Sequence, residues 1–237
     1  MVSVSDKVRL VVEGVECWAT VRRSRLARRP KVRALRDQLE VVLPWRAPMR
    51  AADQLLAANR GWVLRHMLRI AKEMRDFDPA STYYLGEQWR IEPVDTGPLF
   101  AKDVETKTFR VKAQGVSAAR ALVGRRLRAE AKASLILLVH EWETRMGVKV
   151  STLTVRDQKS KWGSCSQKGG VNFNWRLVLA PPEVMQAIVV HELAHLVHLN
   201  HSRDFWALVA HHDSEHRKHE KWLKDHQHRL MEPFETV

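Results

Sequence analysis

The 237-residue sequence predicts an α+β fold, and three observations lead there. Strand-like and helix-like patterns come in runs along the chain, whereas a parallel α/β sheet would need them to alternate. Hydrophobic residues make up 45%, enough for one large core or two small ones. Residues 182–199 are apolar almost all the way round a helix, the pattern of a helix buried inside a domain. The expected organisation is a single domain over 1–237, with a basic strand-and-helix region at 1–78 and a core at 79–237.

Taken in order, residues 7–22 read as two strands meeting near Gly14. Residues 22–36, RRSRLARRPKVRALR, are densely basic, and their alternation makes them partly strand. A further strand at 39–43 is ended by Pro44. Residues 50–75 read as one long helix. Leu55, Leu56, Trp62, Val63, Met67 and Ile70 face inward, and Arg60, Arg65, Arg69 and Lys72 face outward. Asp78 and Pro79 break that helix. Residues 83–93 and 107–113 read as strands around a turn containing Pro93, Gly97 and Pro98. Ser117 caps a helix running to Met146, with Gly124 a weak point inside it and Gly147 its stop. Residues 149–156 form a strand, 159–170 a polar loop, and 171–179 a strand that feeds the helix at 182–199. Residues 202–230 make one or two amphipathic helices, whose histidines (211, 212, 216, 219, 226 and 228) read as a solvated face.

Inside the apolar helix sit His191, Glu192 and His195. Buried polar groups need partners, and a metal ion meets that need. His191 and His195, four apart, lie on one helical face about 5.4 Å from each other, so both imidazoles reach one cation. Glu192 is rotated away from the pair yet close enough to touch a water held by the metal. This is the H-E-x-x-H arrangement of zinc hydrolases, with the Glu as general base. Of the three His-Glu pairs, at 140, 191 and 219, the one at 191 is followed by a His four residues on. A catalytic zinc usually takes three protein ligands. His198 lies about 10 Å along the axis from His191 if the helix continues. Asn200 suits a helix end and Ser202 an N-cap, so the chain turns back there and His201 is the preferred third ligand.

Before this helix runs KSKWGSCSQKGGVNFNWRL. Gly163, Gly169 and Gly170 permit tight turns near a ligand. Lys159, Lys161 and Arg176 are candidates to hold an anionic group. Trp162 and Trp175 either stack on a ring or fill the core, core packing being the expectation. Cys165 has no partner His in sequence reach and is not read as a nucleophile.

Charge is uneven. Residues 1–75 hold 17 Lys/Arg against 7 Asp/Glu, and the rest hold 23 against 20. An anionic partner suits the basic region, with weak nucleic-acid contact as one expectation and a plain solvated face as the other. The N-terminus lacks the apolar stretch of a signal peptide, and no run is long enough to span a membrane. Cys17 and Cys165 form neither a disulfide framework nor a C-x-x-C knuckle, so a reducing cytoplasm and no membrane contact are expected.

The runs KSKWGSCS, NWRL, HELAHL and NHSRDFW, in that order, resemble the YgjP-like metallopeptidase family, a zincin family akin to the WLM and SprT-like domains. The resemblance spans most of the chain from RRSRLARR onward. It implies a zincin-like core with zinc on His191, His195 and His201 and with Glu192 as catalytic base. It implies a peptide substrate lying along the edge of the strand at 171–179. Members of the family are also described as pyrophosphatases acting on UTP, so a nucleotide held by Lys159, Lys161, Trp162 and Arg176 is the alternative. No G-x-x-x-x-G-K-[ST] loop is present to cradle its phosphates. The kinship with WLM and SprT-like domains adds a nucleic-acid-associated protease or binding protein as a third reading.

Overall fold

The structure, a computed structural model, describes residues 6–12, 15–34, 39–158 and 161–234. The chain divides into two compact units, Met1–Phe77 and Asp78–Val237. The described residues form six α-helices and three small sheets, an α+β arrangement.

In the first unit β1 (Asp6–Val12), β2 (Val15–Ser24), β3 (Lys31–Ala34) and β4 (Leu39–Pro44) form a sheet in the order β1-β2-β4-β3. The two-residue period of a strand decides its faces. Leu39, Val41 and Leu43 of β4 turn inward with Ala19 and Val21, and cluster with Ala52, Leu56 and Val63. On the opposite face Glu40 accepts from Arg22 Nε at 3.2 Å and Arg33 Nε at 2.6 Å, so two cations of the basic run are paired within the sheet. The helix expected over 50–75 is two helices, α1 (Arg50–Ala58) and α2 (Arg60–Arg75). Asn59 divides them. Its side chain donates to the Leu55 carbonyl at 2.8 Å, the local competition that makes Asn a poor helix residue. Trp62, expected inward, is exposed and stacks on His66. The side chain of Ile70 lies outside the described residues.

The second unit begins with β5 (Ser81–Tyr84), β6 (Glu87–Val94), β7 (Phe100–Asp103) and β8 (Thr108–Lys112), in sheet order β5-β6-β8-β7. The single strand expected over 83–93 is in fact a hairpin. Leu85 and Gly86, both at positive φ, form its two-residue turn. The turn is docked on the segment leading to the apolar helix: Leu85 N donates to Val178 O at 3.0 Å and Gly86 N to Leu179 O at 2.9 Å. A Cβ at Gly86 would lie 2.5 Å from Pro181 Cγ, so only glycine fits.

The helix α3 (Gly115–Met146) starts two residues before Ser117 and ends, as expected, at a left-handed Gly147. Ala119, Val123, Leu127, Ala131, Leu135, Val139 and Trp142 bury one stripe along it, and that stripe belongs to two successive apolar clusters. The helix runs unbroken through Gly124, which has a packing role. This glycine makes room for Phe234, whose Cβ would be 2.5 Å from any Cβ placed there.

After α3 come β9 (Thr152–Arg156), β10 (Gly163–Cys165) and β11 (Gly170–Asn174), with β11 in the middle. Two expectations change here. The polar loop at 159–170 contains a short strand, and the strand expected over 171–179 stops at Asn174. There the Asn174 side chain accepts from Arg176 N at 3.1 Å and starts a 3-10 turn, Trp175–Leu179. Then follow α4 (Pro182–Ala194), α5 (Arg203–His212) and α6 (His216–Leu230). Several histidines expected on a solvated face are packed instead. His219 is buried with Nδ1 2.9 Å from Asp213 Oδ2, His226 stacks on Trp222, and His212 meets the edge of Trp142. No helix of the described residues is long and apolar enough to cross a membrane.

Gly86→Ala is expected to cost about 2–3 kcal/mol, from a left-handed non-glycine residue and the contact with Pro181. Urea unfolding measures it, and a loss under about 0.5 kcal/mol would mean that the hairpin turn does not hold the start of α4.

Candidate metal centre

The helix α4 begins with Pro182 in its first turn and Glu183 near its positive end. It is shorter than expected. The helix ends at Ala194, His195 is its C-cap, and Val197 and Leu199 are exposed. The chain therefore reverses over 195–202 instead of at 200–201. Ser202 Oγ accepts from Phe205 N at 3.3 Å and opens α5, as its residue type predicts.

This reversal brings three imidazoles together. The Nε2 atoms of His191 and His201 are 3.1 Å apart, and one ring nitrogen from each of His191, His195 and His201 lies within 4.8 Å of the others. A tetrahedral ion with bonds of about 2.0–2.1 Å to nitrogen separates its ligand atoms by about 3.3 Å. The His191–His201 spacing is close to that separation. The second ring nitrogens point elsewhere. His195 Nδ1 donates to the His198 carbonyl at 3.1 Å, which leaves Nε2 unprotonated. His198 thus contributes its main chain, and its side chain is not in the cluster. His191 Nδ1 faces Glu220 Oε1 at 4.0 Å.

Burial, then the neighbouring His195, His201 and His216, push the His191 pKa down to about 4. Burial also lowers that of His195. Both rings are neutral near pH 7, the form that binds a metal. Three imidazole nitrogens suit a borderline divalent ion such as zinc.

Aromatic rings wall this centre. Phe205, fully buried, stacks on His195 with centroids 4.5 Å apart and presents its edge to His191 and His201. Trp206 stacks on His201, and His216 stacks on Trp206. Sequence reasoning quoted the FW of NHSRDFW without giving it this role.

Glu192 is 7% exposed, and burial raises its pKa to about 7, an effect that the Lys161 charge partly offsets. Burial, and secondarily Glu192, raises the Cys165 pKa, so this thiol is not activated. Lys161 is exposed. Its carbonyl and that of Gln158 accept from Asn174 Nδ2 at 3.1 and 2.8 Å. Asn174, fully buried, was also missed by sequence reasoning; it pins both ends of the loop beside Glu192. Trp162 packs against the apolar clusters. Lys159 lies outside the described residues. Arg176 is buried and ion-paired with Asp157, so its charge is held within the fold and is not offered to a ligand.

The family model described as YgjP-like, metallopeptidase domain, matches residues 28–226. No curated protein matches the chain. Among solved structures, the crystal structure of the metallopeptidase zymogen of Pyrococcus abyssi abylysin is 23% identical. The match covers 39% of this chain and 95% of that one, with a TM-score of 0.36.

The Glu192 pKa sets a pH dependence. A folded value of about 7, above the ordinary 4.5, means that the metal-free folded state keeps a proton that the unfolded state releases. Its contribution to stability is complete below the unfolded value and is lost as pH rises through about 7. His191, held near 4, acts with the opposite sign below 6.5, so a raw pH profile mixes the two. Glu192→Gln isolates one of them. In chelator, this variant is expected to gain stability on the wild type as pH climbs from about 4.5 to about 7, and to hold that gain above. Parallel urea melts at about pH 5 and pH 8 check it; a difference independent of pH contradicts the buried carboxyl.

Proposed function

This chain belongs to the YgjP-like metallopeptidase family, and from that premise we propose that it is a zinc-dependent peptidase with Glu192 as general base. The observation that carries the reading is a buried carboxyl with a raised pKa, one residue from the first of three convergent imidazoles. We read α4 with β9, β10 and β11 as a zincin-like core. His191, His195 and His201 would hold the ion. When bound, zinc supplies Lewis acidity toward the scissile carbonyl and makes water more acidic, near pKa 7. Glu192 accepts a proton from the attacking water at its carboxylate and delivers it to the leaving nitrogen. A pKa near the working pH serves both transfers.

The edge available to a peptide differs from the one first expected. β11 is paired on both sides, so it has no edge to give. β10 ends the sheet, and its Gly163 lies against Glu192. An extended peptide joining β10 would gain main-chain hydrogen bonds and run past the carboxylate. A nucleotide substrate has less support, because Arg176 is held by Asp157.

Zinc-loaded wild type is expected to cleave members of a peptide library, while Glu192→Gln keeps its zinc and loses about 10²-fold or more in turnover. Full turnover by this variant would remove Glu192 from the chemistry. Release of UMP and pyrophosphate from UTP, dependent on Glu192, would replace the peptidase reading with a nucleotide one. His201→Ala is expected to lose stoichiometric zinc, measured by metal analysis after gel filtration. Zinc retained in full would move the third ligand elsewhere.

A further inference from the structure

We propose that Gly163 is a positioning residue for Glu192, leaving by its missing side chain the slot in which the carboxylate stands. The proposal rests on the reading of Glu192 as general base. A Cβ at position 163 would lie 2.5 Å from Glu192 Oε1, 2.6 Å from Cγ and 2.8 Å from Cδ. Ordinary contacts between carbons are about 3.5–4.0 Å, so a methyl group here overlaps Glu192 by about 1 Å. The overlap involves Cγ as well as the tip, so a turn of the carboxylate alone does not relieve it.

Neither backbone is free to retreat, so the Glu192 side chain must give. Glu192 stands on a helix beside Leu193 and Ala194, both fully buried. The strand is tied from behind: Asn174 N donates to Trp162 O at 2.8 Å and Asn174 Nδ2 to Lys161 O at 3.1 Å. Gly163 itself pairs with Phe173 of β11.

The backbone does not explain the glycine. Among the described residues the glycines at positive φ are Gly86, Gly97, Gly115, Gly147 and Gly169, and Gly163 is not one of them. In a strand with ordinary φ, glycine is poorer than alanine, having more freedom to lose and no side chain to pack. What Gly163 provides is space for one carboxylate. An error of about 1 Å in placing a reacting group is enough to lower turnover about 10²-fold.

The test combines a double-mutant melting cycle with the structure of one variant. Gly163→Ala is made in the wild type and in Glu192→Ala, each protein loaded with zinc and its zinc content measured. All four proteins are expected to keep the metal. The change in Tm caused by Gly163→Ala is expected to differ between the two backgrounds by about 3 °C or more. It is a loss in the wild type, and no loss where the vacated space accepts the methyl group. The crystal structure of Gly163→Ala is expected to show the Glu192 carboxylate displaced by about 1 Å with β10 in place. On any peptide that the wild type cleaves, kcat falls about 10²-fold at unchanged KM. Equal Tm changes in both backgrounds, or an unmoved carboxylate, overturns the proposal. The melts and the structure need no substrate, so a protein that cleaves nothing would defeat the peptidase reading without deciding this one.

Discussion

Polar groups inside an otherwise apolar helix are the constraint around which the second unit is built. His191 and Glu192 share α4 with Val189, Val190, Leu193 and Ala194, the last four all buried, and His195 caps its end. Leaving imidazole and carboxyl groups without partners in such surroundings costs several kcal/mol. The fold reduces that cost by favouring the neutral forms and by giving the imidazoles defined neighbours. The main-chain carbonyl of His198 accepts from one imidazole N–H, Phe205 covers the face of His195, and burial holds the His191 pKa low and that of Glu192 high. What the three imidazoles leave is a set of ring nitrogens within 4.8 Å of one another. The family implies a metal ion, and this cluster is the candidate place for it.

Precision at that point comes from parts of the chain far from it. The Leu85–Gly86 turn grips the start of α4 through Val178, Leu179 and Pro181. Asn174 ties the loop before β10 to the strand behind it. The long α3 lies under both apolar clusters, so the sheet that bears the turn and the segment that bears the histidines share one support. Each contact fixes backbone, and a fixed backbone limits where the Glu192 side chain stands.

The sequence made the candidate ligands readable because they are local. A spacing of four places two histidines on one helical face, and Asn200 followed by Ser202 marks a chain reversal, whatever the rest of the protein does. The reversal begins earlier than those residues suggest, because α4 already ends at Ala194 and neither Val197 nor Leu199 is covered. Features that depend on distant partners were not readable. β10 is three residues, Gly-Ser-Cys, with no alternation to betray a strand; β11 supplies its pairing. The hairpin at 84–87 lacks the usual Asn-Gly signal, and Leu85 reads as one more strand residue. Arg176 reads as an open cation until Asp157 is placed beside it. The opposition of Gly163 to Glu192 joins residues on either side of a strand, a turn and most of a helix.

All three candidate ligands fall within residues 191–201, joined by a single short reversal. A loop this short costs little entropy to close, even in a chain with no tertiary structure. Were an ion bound by these candidate ligands, the unfolded protein would keep part of the affinity for it. A ligand that also binds the unfolded state stabilises the fold by less than its affinity for the native site alone would suggest. An ion held there would act mainly as a local clasp on the junction of α4 and α5, leaving the resistance of the whole unit to unfolding to its apolar clusters.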